Sequence, residues 1–256
     1  MKIAVAGATG RVGRHVVDVL EERGHDVVPI SRSTGVDVIT GAGLEAALTG
    51  VQTVVDTATG PSPEKEAATT FFTTAANNLQ QAGTRAGVTR LVVVSIIGLD
   101  GLTGGYSAAK LAHEQAARTG PIPARILRAA QFHEFVEQLM AWGRQGDVIY
   151  VPEMRTQLVA ARTVAEALAD LAAGPEAEFE AAALAPPFAE IAGPREERLA
   201  DAARLLLTRR GEPARVEEVR NPDDPDAGPT AEGALLPSPH ATLAGPTFAE
   251  WLDATS

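Results

Sequence analysis

Met1-Lys2-Ile3-Ala4-Val5-Ala6-Gly7-Ala8-Thr9-Gly10-Arg11-Val12-Gly13 opens the chain, and the rest is read from it. Residues 2–6 are a short apolar run that breaks directly into the glycines, and Val12, Val16, Val19 and Leu20 then recur at helical spacing. Strand, tight turn and helix follow in that order. The turn needs glycine for physical reasons. Gly7 permits a backbone angle that other residues resist, Gly10 lets a phosphate approach the main chain, and Gly13 lets helix and strand pack closely. The helix start then offers unpaired N–H groups and a positive dipole end to an anion. The stretch predicts the opening of a nucleotide-binding sheet. The alternative is a tight turn that binds nothing, because the spacing is G-x-x-G-x-x-G and not G-x-G-x-x-G.

The whole chain is compatible with that beginning. Its 256 residues suffice for one large α/β domain with a substantial core, and 45% hydrophobic with 21% charged residues argues against disorder. The absence of cysteine excludes disulfides, thiolate catalysis and cysteine-ligated metals, and fits a reducing cytoplasm. A net charge of −11, from 33 acidic and 22 basic residues, repels phosphate backbones and anionic lipid. Nucleic acid and membrane are therefore not expected partners, whereas a small nucleotide is allowed. The glycines follow too short an apolar run for a targeting segment, and residues 91–99 are too few to span a bilayer. Five scattered histidines give no metal-ligand spacing. The expectation is a soluble cytoplasmic protein, monomer or homodimer, that takes a small-molecule substrate.

Gly24 closes the first helix, and residues 26–31 predict a second strand. About 20 residues beyond its glycines, an NAD-binding unit places an acidic residue on the ribose 2′-hydroxyl. This chain has Ser31-Arg32-Ser33 there. A carboxylate repels a 2′-phosphate, and a guanidinium flanked by two hydroxyls grips it. The inference is NADP(H); the alternative is that Arg32 is a solvated charge. Residues 36–39 predict a third strand, 43–48 a short helix and 51–57 a fourth strand. That strand ends in Asp56-Thr57-Ala58-Thr59-Gly60, at the carboxyl edge where doubly wound sheets open a ligand crevice. Residues 64–86 predict a crossover helix, with Phe71 and Phe72 read as core.

After a fifth strand over 91–95 and a glycine-rich loop comes Gly104-Gly105-Tyr106-Ser107-Ala108-Ala109-Lys110. Tyr106 and Lys110 stand four apart at a helix start, so they project from one face. With two tyrosines and three lysines in the chain, chance rarely produces that pair. The chemistry is electrostatic. An ammonium one turn away stabilises a phenolate and brings the phenol towards the working range, so that Tyr106 protonates a carbonyl oxygen as hydride reaches its carbon. Lys110 can also hold the nicotinamide ribose hydroxyls. Ser95, at the fifth strand's end, offers that oxygen a second hydrogen bond, or serves only its local backbone.

Gly7-x-x-Gly10-x-x-Gly13, Arg32 and Tyr106-x-x-x-Lys110 together resemble the short-chain dehydrogenase/reductase superfamily. The glycine spacing, Gln131-Phe132-His133-Glu134-Phe135 and Gly245-Pro246-Thr247-Phe248 resemble its atypical, NmrA-like, NAD(P)-binding branch. The resemblance implies a Rossmann fold, a doubly wound parallel α/β sheet. It implies that Gly7, Thr9, Gly10, Arg11 and Val12 line the pyrophosphate, that Arg32 with Ser31 or Ser33 takes the 2′-phosphate, and that Thr57 and Ala58 pass near the adenosine half. Tyr106 and Lys110 are catalytic by the same resemblance. The branch also holds members that bind dinucleotide without turning it over.

Residues 124–129 predict a sixth strand, whose end at Gln131 lies on the same carboxyl edge and marks the nicotinamide position. Phe132 and His133, at the start of the following helix, are placed to wall the substrate pocket; the alternative for His133 is packing or capping. Residues 148–151 and 188–192 predict strands, 163–173 and 195–210 helices, and 215–220 a further strand. Residues 221–229, with three aspartates and three prolines, predict a mobile solvated loop. The expectation is a single NAD(P)-binding domain over residues 1–256, with residues from about 175 to 256 folded as a small substrate-cleft lobe. The function expected is an NADPH-dependent reductase acting on a carbonyl, quinone or related small molecule. The alternatives are a non-catalytic NADP(H) sensor of the NmrA-like type and sugar-nucleotide epimerisation or dehydration.

Overall fold

A seven-stranded parallel sheet flanked by helices carries the chain, in a computed structural model that describes residues 1–176, 178–179 and 188–255. Its first strands are β1 (Lys2–Ala6), β2 (Asp26–Ile30), β3 (Thr53–Asp56), β4 (Arg90–Ile96) and β5 (Ala124–Ala129). With β9 (Ala189–Ala192) and β12 (Thr242–Leu243) the order is β12-β9-β5-β4-β3-β1-β2. The chain winds outward from β1 to β2, then returns to place β3 on the other side of β1, so the strand order reverses there. In doubly wound sheets that reversal opens the ligand crevice at the carboxyl ends. Register fixes which residues meet at the crevice: Ala6 pairs with both Ile30 and Asp56, and Asp56 pairs with Val93. Gly7, Ser31, Thr57 and Ser95 therefore leave or end their strands at one edge.

The crossovers are α1 (Gly13–Glu22), α2 (Leu44–Ala47), α3 (Lys65–Ala86) and α4 (Gly105–Thr119). Each buries an apolar stripe, as Val16, Val19 and Leu20 of α1 and Ala75, Ala76 and Leu79 of α3 show. Sheet residues covered on both faces read as apolar runs, which is why β1 and β3 are buried almost throughout.

The chain gathers into two compact units. The first comprises Met1–Ser95, Gly105–Arg128 and Val164–Ala189. Its core joins Ala4, Ala6, Ile30, Leu44, Val54, Leu79, Leu91 and Ile126. The second comprises Ile96–Gly104, Ala129–Thr163 and Glu190–Ser256. Here β6 (Arg144–Gln145), β7 (Val148–Pro152) and β11 (Arg215–Val219) form a three-stranded sheet, and β8 (Arg155–Thr156) pairs with β10 (Glu197–Arg198) in a two-stranded one. A core of Val136, Met140, Ile149, Val151, Leu206 and Phe248 packs helix α5 (His133–Gly143) with helices Leu199–Arg210 and Phe248–Thr255.

Two expectations are corrected. Residues 36–39 form a turn and not a strand: Asp37 Oδ1 accepts the Ile39 N–H at 2.7 Å, and the Asn78 amide donates to the Val38 and Ile39 carbonyls at 2.8 Å each. Those contacts consume the groups a ladder would use. Residues 221–229 are not solvated throughout. Asp226 is only 7% exposed, and its Oδ1 accepts the backbone N–H groups of Thr103 at 2.8 Å and Gly104 at 3.0 Å. Part of the acidic, proline-rich stretch after Gly174 lies outside the described residues.

Candidate active site

The site begins at the glycine turn. Gly7 takes a positive φ of 77°, its N–H donates to the Ile30 carbonyl at 3.0 Å, and Gly10 N–H donates back to the Gly7 carbonyl at 2.8 Å. Side chains are excluded sterically. A Cβ at Gly7 would lie 2.8 Å from the Ala58 backbone, and one at Gly13 would meet the Gly7 carbonyl and stand 2.6 Å from Thr57 Oγ1. No side chain caps the start of α1, and its first turn holds no acidic residue. An N-terminus of that kind fits a pyrophosphate, which its N–H groups and dipole favour. Thr9 is exposed, Arg11 half-buried and Val12 buried on this turn.

Ser31, Arg32 and Ser33 follow β2 directly as the cap and start of a short 3₁₀ turn, Arg32–Thr34. Ser31 and Ser33 share a hydrogen bond at 2.8 Å, and Arg32 is exposed beside them. Thr57 spends its hydroxyl on the Ala6 carbonyl at 2.7 Å, and Ala58 N–H donates to Asp56 Oδ1 at 3.0 Å. Both residues thus shape the wall of the turn.

Helix α4 holds the candidates Tyr106 and Lys110. Tyr106 and Lys110 both contact Phe72 of α3: the tyrosine ring lies edge-on at 5.6 Å, and Lys110 Nζ stands 4.5 Å above the ring centroid. Lys110 is 5% exposed and donates to the Val94 carbonyl at 2.9 Å and to His113 Nδ1 at 3.0 Å. His113 Nε2 lies 3.0 Å from Asp56 Oδ2, and both residues are 1% exposed. Burial pushes Lys110 down to about 8, against the charges of Asp56 and Glu114. Burial and the Lys110 charge also lower His113, against its hydrogen bond to Asp56. Burial alone raises Asp56, but the His113 hydrogen bond and charge, the Ala58 N–H and Lys110 leave it below the ordinary carboxylate range.

The expected effect of Lys110 on Tyr106 is corrected. Burial raises the Tyr106 phenol above its ordinary value, opposed by a hydrogen bond to Thr59. The tyrosine hydroxyl lies 3.3 Å from Thr59 Oγ1, while the ammonium is engaged by Val94 and His113. Ser95 is buried at the end of β4, and its Oγ has no hydrogen-bond partner among the described residues.

The three C-terminal candidates lie in the second unit. Gln131 accepts from Thr156 Oγ1 at 2.6 Å, and Phe132 bridges Val159 through its backbone. His133 packs against Phe248 and Trp251, each ring centroid 5.4 Å away, and its Nε2 donates to the Pro246 carbonyl at 3.1 Å. Those contacts are the packing role anticipated as the alternative for this histidine.

Sequence reasoning placed Asp56 and Thr59 at the ligand crevice without giving their side chains a role, and passed over His113. A signal existed for two of them. His113 lies three after Lys110, on the same helical face, and Asp56 is an acidic end to an otherwise apolar strand.

Fold and glycine turn together define an α/β dinucleotide-binding protein of the Rossmann type. A family model described as NAD(P)H-binding matches residues 7–175, and the chain belongs to that family. Among solved structures it is similar to MoeE5 in complex with UDP-glucose and NAD, at 19% identity and TM-score 0.69, covering 99% of this chain and 96% of that one. It is also similar to a short-chain dehydrogenase/reductase superfamily protein from Agrobacterium tumefaciens with bound NAD, at 17% identity and TM-score 0.69, over 99% and 95%. A third is UDP-N-acetylglucosamine 4-epimerase from Bacillus cereus, at 18% identity and TM-score 0.67, over 99% and 94%. These likenesses establish the shared fold. No curated protein matches the chain in sequence. No helix among the described residues is long and apolar enough to cross a membrane.

Proposed function

We propose that the protein is an NADPH-dependent reductase of the short-chain dehydrogenase/reductase type, NmrA-like, acting on a carbonyl, quinone or related electron-poor small molecule. One observation carries the reading: the Ser95 hydroxyl is buried without a partner among the described residues, in the unit that holds Tyr106, Lys110 and the glycine turn. A buried hydroxyl left unpaired costs stability, so its retention favours a role towards a ligand oxygen.

Gly7, Thr9, Gly10, Arg11 and Val12 would hold the pyrophosphate, and Ser31, Arg32 and Ser33 the 2′-phosphate. When bound, the cofactor supplies hydride. Tyr106 gives its proton to the substrate oxygen, Ser95 donates a hydrogen bond to the same oxygen, and Lys110, held by Val94 and His113, sets a buried positive charge one helical turn away. A high phenol pKa suits a group that stays protonated until the oxygen gains negative charge. Zero cysteines and an acidic balance support a reducing cytoplasm and argue against nucleic-acid partners.

The names of the similar structures favour a second reading, sugar-nucleotide chemistry with retained NAD. Arg32 counts against it, because a guanidinium at the ribose suits a 2′-phosphate better than a free hydroxyl.

The test is a screen of carbonyl, quinone and sugar-nucleotide compounds for NADPH oxidation, followed at the nicotinamide absorbance band. Turnover that disappears in Tyr106→Phe with NADPH binding intact is the expected result. NADPH binding without turnover on any compound would make the protein a sensor, and tightly retained NAD would favour the epimerase reading.

A further inference from the structure

Asp56, His113 and Lys110 form an unbroken buried chain. Because the Lys110 ammonium can only donate, the nitrogen it meets, His113 Nδ1, must be bare. The imidazole proton then sits on Nε2 and is donated to Asp56 Oδ2, 3.0 Å away. The two ends fix the tautomer between them. Phe72 fixes the ring itself, stacked on His113 with centroids 4.8 Å apart and planes 22° from parallel. Asp56 uses its other oxygen, Oδ1, to hold the Ala58 N–H at 3.0 Å, and Ala58 is the residue that a side chain at Gly7 would strike. One carboxylate therefore joins the lysine of α4 to the wall of the glycine turn.

Burying three ionisable groups is costly, and well-packed apolar residues of similar volume are commonly neutral or stabilising in such places. Packing alone does not account for this choice of residues, whereas a requirement to hold a lysine ammonium in one place does. Lys110 has a long, flexible stem, and only directed acceptors fix its head.

We propose that His113 and Asp56 are positioning residues for Lys110: His113 receives the ammonium, Asp56 orients His113, and the pair couples the lysine's position and charge to the Ala58 wall of the nucleotide turn. The inference rests on the reductase reading for its catalytic meaning. The charged and titratable groups around Lys110 are Asp56 on β3 and Tyr106, His113 and Glu114 on α4, with Arg128 of β5 neutralising Glu114; Phe72 on α3 adds no charge.

The test uses the protein without substrate, labelled with ¹³Cε-lysine and ¹⁵N-histidine. Three lysines give three resonances, and Lys110→Arg identifies the third. In the wild type Lys110 is expected to titrate near 8 and His113 to carry its proton on Nε2. Asp56→Asn should lower the Lys110 midpoint by about one pH unit, since it removes the carboxylate that favours the ammonium. His113→Leu should lower it too, by removing an acceptor of the charged form. His113→Gln, whose amide offers one acceptor and one donor, should restore part of the shift. In NADPH oxidation, the alkaline limb of kcat/KM should move with these midpoints, and His113→Leu should lose about tenfold or more in kcat/KM.

An unchanged Lys110 midpoint in folded Asp56→Asn and His113→Leu overturns the proposal. So does a wild-type His113 protonated on Nδ1, a measurement that decides the matter even where the variants do not fold. Midpoints that move as expected in a protein that oxidises NADPH with no compound uphold the coupling and overturn the reductase reading instead.

Discussion

Tyr106 and Lys110, one helical turn apart on α4, meet the same Phe72 ring, the tyrosine by its edge at 5.6 Å and the ammonium over the face at 4.5 Å. The ring is 1% exposed and also stacks on His113, so a single side chain braces three polar neighbours. Its loss removes apolar contacts and a cation–π attraction together. Phe72→Ala should cost about 3–5 kcal/mol in a denaturant titration. Phe72→Leu, which keeps most of the volume, should cost markedly less. Equal losses would mean that the site collapses around either side chain and that the ring's shape does not matter.

Gly13 makes a sharper prediction about the turn. An added Cβ has nowhere to go, because the Gly7 carbonyl and the Thr57 hydroxyl already occupy its position. Gly13→Ala should destabilise the fold by about 1–3 kcal/mol through overpacking. It should also weaken NADPH binding, followed by nicotinamide fluorescence, since relief comes only by moving α1 away from the turn. Gly24, whose added Cβ would meet nothing, is the control for stability, although its φ of 77° carries its own small strain.

Glu114 and Arg128 form a buried bidentate pair, with contacts of 3.0 and 2.8 Å. Removing one partner strands the other's charge inside the protein. Glu114→Ala should therefore cost about 3–5 kcal/mol, while the double replacement Glu114→Leu with Arg128→Met should cost less than that single change. Thermal unfolding of the two variants decides between an essential charge and a replaceable one.

The parts of the fold that came through in the sequence are those in which one local rule governs the outcome. The apolar run before Gly7 could only be a strand, and the strand at Ala124–Ala129 has the predicted bounds although Arg125 and Arg128 interrupt its apolar run. Residues 36–39 looked equally strand-like. Their fate was decided by Asp37 among them and by Asn78 of α3, which lies about forty positions away and leaves no mark on local pattern. The site divides in the same manner. Gly7, Gly10, Gly13, Tyr106 and Lys110 announce themselves by spacing, whereas the union of Asp56 with His113 exists only through the crossing of β3 and α4. The phenol is a further case. Four-residue spacing predicts an ammonium beside Tyr106, yet Val94 and His113 hold that ammonium, and burial then dominates the phenol.

Acid should loosen the protein through His133. Burial pushes this histidine from 6.5 down to about 4, against a hydrogen bond to the Pro246 carbonyl. Between those values the unfolded chain binds the proton that the folded chain refuses, so stability falls as pH is lowered through that window. The full effect is about 3 kcal/mol for a shift of this size. His113, lowered by burial and by Lys110, acts with the same sign. His133→Phe should flatten the dependence of denaturation midpoint on pH between 6.5 and 4, leaving the His113 contribution. An unchanged slope would assign the acid sensitivity elsewhere.

On the proposed reading, Arg32 sets the choice of cofactor. Ser31 and Ser33 are held together by their own hydrogen bond at 2.8 Å, and the guanidinium stands exposed between them in sequence, at the end of β2 where the carboxyl edge opens. A charge-assisted contact to a 2′-phosphate is worth about 1.5–3 kcal/mol, or roughly a 10- to 150-fold change in affinity. Arg32→Ala should therefore weaken NADPH by about that factor and leave NADH nearly untouched, as measured by fluorescence titration. Because the residue is solvent-exposed, the wild-type preference for NADPH should also shrink as salt is raised. Arg32→Asp should go further and invert the preference, since a carboxylate repels the 2′-phosphate and accepts from a free ribose hydroxyl. Parallel loss of NADPH and NADH in Arg32→Ala would assign the residue to the shape of the turn, and the guanidinium would no longer account for cofactor choice.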